Sequence, residues 1–196
     1  MADPSPPKDR QDAILNAAFH AFATYGFRRT TMDDIACAAG LSRTALYLHF
    51  RNKEDLFRHM TRTFFAEVND ALERILSAPD ADPSVTLAAA FRAKDGKFME
   101  VVLGTPHGPE LMDAGFSIAG DIATEGEARV QAQLAAWIAR RPTPPDLGTP
   151  DQIAETLMAA LKGIKATSKT LSDYRAAQGR LAAVFGRALR PGPENS

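Results

Sequence analysis

Three features of the sequence predict an all-α fold. Apolar residues recur every three to four positions through most of the 196 residues, the spacing of one helix face. No run alternates apolar and polar residues as a half-buried strand does. The residues between the apolar stripes are those that start and stop helices: Thr31, Ser42 and Asn52 stand ahead of three stripes, and Gly26 and Gly40 stand behind two.

The elements follow in order. Residues 1–8 read as a disordered lead-in, because Pro4, Pro6 and Pro7 oppose regular structure. "RQDAILNAAFHAFATYG" places Ile14, Ala18 and Phe22 on one stripe, with Leu15 and Phe19 beside them, and Gly26 as its C-terminal cap. Thr31 opens a short helix with Asp34 three residues on, a capping-box arrangement, and Ile35 and Ala36 face inward. After Gly40, Ser42 caps another short helix that buries Leu46 and Phe50. Asn52 caps a long one, with Glu54 and Asp55 complementing the dipole in its first turn and Leu56, Met60 and Phe64 along one row. "PDADP" is a break, "SVTLAAAFRAKDGKFMEVVLG" is helical despite Gly96, and "TPHGPELMDAG" holds a short helical turn at best. A long helix from Phe116 keeps Ile122, Val130, Leu134, Trp137 and Ile138 in phase. "PTPPDLGTP" breaks the chain again, two amphipathic helices close it, and 191–196 read as a disordered tail.

Composition narrows the function. Hydrophobic residues make up 45% of the chain, enough for a core. No apolar run approaches the roughly 18 residues of a membrane span, and "MADPSPPKDR" lacks the apolar stretch of a signal peptide; a cytoplasmic protein with no membrane partner is expected. The single cysteine, Cys37, excludes an intramolecular disulfide and is expected to be a small buried residue among alanines. The four histidines have no metal-ligand spacing. No Ser/His/Asp order, phosphate loop or paired carboxylate stands out, so neither enzyme, metal nor cofactor is expected. Net charge is −1, and residues 1–55 carry seven basic and seven acidic side chains. Any nucleic-acid surface must therefore depend on where the bases point.

Ala36, Gly40 and Leu46 have the spacing of a helix-turn-helix: a small residue for close crossing, a glycine for the turn, and a leucine to seat the second helix. An ordinary helical corner has the same spacing. The surroundings add more. "ILNAAFHAFATYGFRRTTMDDIACAAGLSRTALYLHFRNKEDLF" resembles the N-terminal DNA-binding domain of TetR/AcrR-type transcriptional regulators over about 45 residues, Ile14 to Phe57, without a gap. Thr44 stands where that pattern usually has glycine.

The resemblance implies a three-helix helix-turn-helix domain at 9–55, joined by the long helix to a helical effector-binding and dimerisation domain at 56–190. Ser42 then caps the recognition helix, and Arg43, Thr44 and Ala45 lead it into the major groove, with Arg43 and Thr44 at base edges. It also implies phosphate contacts from Tyr47, from His49, whose alternative is packing beside Phe50, and from Lys53, whose alternative is a solvated lysine. Thr30 and Thr31 stand by the second helix's N-terminus, where their hydroxyls would hold a phosphate or simply cap, and Arg28 flanks the site. The expected partner is a near-palindromic double-stranded operator bound by a homodimer.

For the C-terminal domain the expected pocket lining is Phe64, Phe65, Val68, Phe91, Phe98, Met99, Leu103, His107, Met112, Phe116, Trp137 and Met158. Ordinary core is the alternative for each. With many Phe and Met and no cluster of charge that reads as buried, the expected effector is small and mostly apolar. Leu157, Leu161 and Ile164 form one stripe of the expected dimer interface, and Leu181, Val184, Phe185 and Leu189 the other; intrachain packing is the alternative. Repression is expected over activation on the resemblance alone.

Overall fold

The computed structural model describes residues 7–78 and 82–190, without the side chains of 7–9, 115 and 116. The expectations for 1–6, for 191–196 and for most of the 79–83 break lie outside the described residues. Among the described residues the fold is all-α, with eight α-helices, one 3₁₀ turn and no strand.

Helix α1 (Pro7–Tyr25) begins inside the stretch expected to be disordered. A proline is tolerated in a first turn because its absent N–H would have no helical partner there. Gly26, at φ 86°, ends it. Helices α2 (Met32–Ala38) and α3 (Arg43–Tyr47) are 7 and 5 residues long, with Gly40 between them at φ 66°. Such short helices are marginal in water; packing holds these. Ile14, Phe22, Ile35, Leu46, Phe50, Leu56 and Phe57 are all at most 3% exposed. The rings of Phe22, Phe27 and Phe57 stand 5.0–6.0 Å apart.

Cys37 is exposed, against expectation. The inner face of α2 is completed by Met32, Ile35 and Ala36, and the residue after Ala36 is turned about 100° away from it.

Helix α4 (Lys53–Leu76) starts at Asn52, whose Oδ1 accepts the Asp55 N–H at 2.7 Å. Helix α5 spans Pro83–Gly104 and α6 Gly108–Ile138. The first part of α6 corrects the reading of "TPHGPELMDAG" as a turn at best. Pro109 lies in the first turn, where it breaks nothing, and Leu111 and Ala114 are buried. Ala119, with φ −130° and ψ 25°, kinks the helix. The 3₁₀ turn Pro145–Leu147 precedes α7 (Pro150–Thr167), capped reciprocally by Thr149 and Gln152, and α8 is Leu171–Ala188. No helix of the described residues is long and apolar enough to cross a membrane.

The chain divides into two compact units, one of residues up to Phe64 with Gly104–Ala123, the other of Phe65–Leu103 with the residues from Thr124 on. The boundary expected at 55/56 thus falls within the first unit, because the first three turns of α4 belong to it.

Candidate functional site

The short helices present α3 outward. Leu46 is fully buried and Phe50 is 1% exposed, which fixes the helix by one side. Ser42 Oγ accepts the Ala45 N–H at 3.1 Å and fixes its start. Arg43, Thr44, Tyr47, Leu48 and His49 are left exposed, Leu48 at 83%, and Ala45 is half-buried. Arg43 Nη1 reaches Asp33 Oδ2 at 2.9 Å, and its guanidinium lies 5.5 Å from the Tyr47 ring centre. An exposed pair of this kind holds by at most about 1 kcal/mol, so Arg43 can leave Asp33 for another acceptor.

The neutral charge balance has a local explanation. Asp33 faces Arg43. Asp34 caps α2, accepting the Thr31 N–H at 2.8 Å and its hydroxyl at 2.7 Å. Those bonds, the hydroxyl first, hold the Asp34 carboxyl below the usual carboxylate range. Asp55 Oδ2 accepts the Arg51 N–H at 3.0 Å.

Two expected phosphate contacts change role, and a third keeps its capping alternative. Thr30 is 1% exposed, and its hydroxyl donates to the Gly26 carbonyl at 2.7 Å, so it holds the α1–α2 turn and cannot reach a phosphate. The Thr31 hydroxyl donates to Asp34 while accepting that residue's N–H at 3.2 Å, which leaves the capping role. Lys53 Nζ donates to the carbonyls of Phe27 at 2.7 Å, Thr30 at 3.0 Å and Arg28 at 3.3 Å, and lies 4.5 Å from the Phe27 ring centre. All three of its donors are occupied. Arg28 keeps an exposed side chain, while its backbone N–H donates to Glu110 Oε1 at 2.8 Å. Glu110 also lies 3.8 Å from His107, and a Cβ on Gly26 would collide with its carboxylate. His107 therefore stands beside the α1–α2 turn.

The kink in α6 has its own partner. Arg58 Nη1 donates to the Ile118 carbonyl at 2.7 Å, and the guanidinium grips Asp121 with two bonds of 2.7 and 2.6 Å. That grip lowers the Asp121 pKa to about 2.

The expected pocket residues are distributed between the two units. Phe65, Val68, Phe91, Met99 and Trp137 are buried and Phe98, Leu103 and Met158 half-buried in the second; Phe64, His107 and Met112 are half-buried in the first. The Phe116 side chain lies outside the described residues. The second unit also contains buried charge, which corrects the expectation of none. Lys94 and Asp95 are 5% and 2% exposed. Lys94 Nζ bonds Glu127 at 2.8 Å and Asp95 at 3.2 Å, and Lys165 bonds Asp95 at 3.2 Å. Burial pushes Asp95 up, but the two ammonium groups outweigh it and hold the carboxyl below its usual range. Burial, then the charge of Asp95, pushes the Tyr174 hydroxyl up. Gln178 Nε2 donates to Tyr174 Oη at 3.0 Å and to the Phe91 carbonyl at 3.2 Å. Asn69 Oδ1, Thr86 Oγ1, Gln133 Oε1 and Trp137 Nε1 are buried polar atoms of this unit without a partner.

Of the expected interface residues, Leu157, Leu161 and Leu189 are at most 1% exposed and pack within the chain, where they serve the core. Ile164, Leu181 and Phe185 are half-buried, and Val184 is 64% exposed.

Residues 14–60 match the pattern of bacterial regulatory proteins of the tetR family. The HTH-type transcriptional repressor KstR2 of Mycolicibacterium smegmatis is 31% identical over 113 residues, covering 56% of this chain and 55% of that protein. The chain thus matches about half the length of this curated relative. A transcriptional regulator from Cytophaga hutchinsonii shares the fold with a TM-score of 0.72 at 20% identity, covering 92% of this chain and 98% of that one. SmeT, the repressor of the multidrug efflux pump SmeDEF of Stenotrophomonas maltophilia, shares it in its triclosan complex with a TM-score of 0.64 at 18% identity, covering 95% and 100%.

Proposed function

We propose that this chain, which belongs to the tetR family of bacterial regulatory proteins, is a sequence-specific DNA-binding transcriptional repressor of the cytoplasm that works as a homodimer on a near-palindromic duplex. A small effector, mostly apolar, releases it. The observation that carries this reading is the outer face of α3. Its core side is fixed by Leu46 and Phe50, and Arg43, Thr44 and Tyr47 stand on the exposed side with no structural need for all three there. Arg43 suits guanine O6 and N7 as a bidentate donor, and Thr44 suits either a hydrogen bond or a thymine methyl. Tyr47 and His49 contact the phosphate backbone, while Lys53 acts by holding the α1–α2 turn.

The effector site lies in the C-terminal helices. The complex of SmeT, a relative in fold, with triclosan supports an effector, and the buried polar atoms without a hydrogen-bond partner, Trp137 Nε1 and the Asn69 and Gln133 amide oxygens among them, support its place. Each such atom costs about 1–3 kcal/mol when left bare, so an effector that offered them partners would gain accordingly. Helix α4 carries the signal, because it is continuous from Lys53 to Leu76 and contributes to both units. The effector must bind the DNA-incompetent arrangement better, since equal affinity for both shifts nothing.

The test is selection of bound sequences from random duplexes, repeated with hydrophobic aromatic compounds. An inverted repeat enriched without compound and lost with one is the expected result. Enrichment of nothing would overturn the DNA-binding reading.

A further inference from the structure

The reading face continues past Tyr47 and His49 into a groove whose other residues have no role yet. It has a volume of about 290 Å³ and is lined by Tyr47, His49, Phe50, Arg51, Asp55 and His59. We propose that it holds a backbone phosphate of the bound duplex, with His59 and Arg51 as the contacts, and that filling it takes up a proton. The proposal rests on the reading of the chain as a DNA-binding protein.

His59 sets the chemistry. Its Nδ1 lies 2.9 Å from the Asp55 carbonyl oxygen. A carbonyl only accepts, so Nδ1 carries the hydrogen. In the neutral ring Nε2 then has only a lone pair and repels a phosphate oxygen; in the imidazolium it is a donor. The T-shaped contact with Phe50, ring centres 5.4 Å apart, holds the ring in place. The charged and titratable groups around the groove are Tyr47 and His49 from the end of α3, Arg51 from the connection, and Asp55 and His59 from α4. Asp55 lies 3.5 Å from His59 Nδ1 and accepts the Arg51 N–H at 3.0 Å. With both imidazoles neutral, Arg51 and Asp55 cancel. Each proton taken up adds one positive charge, and an oxyanion in the groove favours that uptake, since imidazole is the side chain that changes charge near neutrality. The occupant is a duplex phosphate because the groove adjoins exposed Tyr47 and His49 at the end of the base-reading helix.

The test is calorimetric titration of the full-length chain with its selected duplex, slightly above neutral pH, in two buffers of different ionisation heat. Wild type is expected to take up about one proton or more per protomer. His59→Gln should remove about one proton from that count and, by losing one phosphate contact, make log K less steep in log salt by roughly 0.9. Arg51→Ala should reduce the slope by a similar amount, and being an exposed connection residue it keeps the test alive if His59→Gln fails to fold. His20→Gln, an exposed histidine of α1, should change neither quantity. No proton uptake in the wild type overturns the proposal, and so does an Arg51→Ala slope equal to wild type. Inorganic phosphate producing the same His59-dependent uptake without DNA would make this a free-anion site and overturn the duplex assignment. A chain that binds no duplex sinks both readings, whereas duplex binding with uptake independent of His59 sinks the groove alone.

Discussion

An ammonium group has three N–H donors, and at Lys53 the carbonyls of Phe27, Arg28 and Thr30 take them all. Lys53→Ala should therefore destabilise the chain by about 2 kcal/mol, within the range for hydrogen bonds to a charged group. It should weaken binding to every duplex while leaving the salt slope unchanged. Denaturant titration together with binding at several salt concentrations checks this; a slope shallower by roughly 0.9 would instead make Lys53 a phosphate contact. Arg43→Ala should behave in the opposite way. It breaks an exposed pair with Asp33 and an exposed contact with the Tyr47 ring, so stability should change by about 1 kcal/mol or less. Binding to the selected site should fall by about 1–3 kcal/mol with relaxed base preference. Equal losses on selected and random duplexes would identify a phosphate contact. The caps were legible at this scale, because Thr31, Asp34 and Ser42 bond backbone at fixed offsets along the chain. Lys53 and Thr30 were not, because their partners are carbonyls, which no residue letter marks.

Helix α5 shows where periodicity stops being informative. No cluster of charge reads as buried in the sequence, yet Lys94 and Asp95 are buried because Glu127 of α6 and Lys165 of α7 complete their charges. Those partners lie 33 and 70 residues away, beyond any local pattern. Lys94→Met leaves Asp95 to Lys165 alone and takes the partner from half-exposed Glu127, so it should cost about 3 kcal/mol, the low end for breaking a buried pair. Lys94→Met with Asp95→Asn should recover part of that loss. The pH dependence follows from the lowered carboxyl of Asp95. A group whose folded pKa is depressed stabilises fully above its unfolded value, about 3.9, and that stability disappears as pH falls through the folded value. Wild type should therefore lose stability below about pH 4. Asp95→Asn, less stable at neutrality, should lose less on acidification. Parallel acid curves for the two proteins would show that the cluster contributes nothing. The start of α6 is illegible in the sequence for a related reason: the burial of Leu111 and Ala114 that holds it helical is a tertiary fact.

At the scale of the whole molecule, the question is which apolar side chains the folded chain leaves for a second copy. Leu157, Leu161 and Leu189 are consumed by the core. Leu181 and Val184 of α8 share one helix face with Ala177 and Ala188, half-buried apart from Val184, which is 64% exposed. The sequence stripes were right in period and mixed in destination, because one apolar stripe does not say whether it meets its own chain or another. Val184→Arg places a charge where only a partner would bury it. If this face is the two-fold interface, an isologous contact meets the substitution twice. Val184→Arg should then be monomeric at micromolar concentration by sedimentation, with a thermal midpoint lowered by no more than loss of the partner explains. It should bind an isolated half-site as wild type does and lose the gain from joining two half-sites. Leu161→Ala should instead lower stability by about 2–5 kcal/mol through a core cavity and leave the half-site gain intact in whatever fraction stays folded. A Val184→Arg protein that still sediments as a dimer and still prefers the full site would move the interface to another face of the chain.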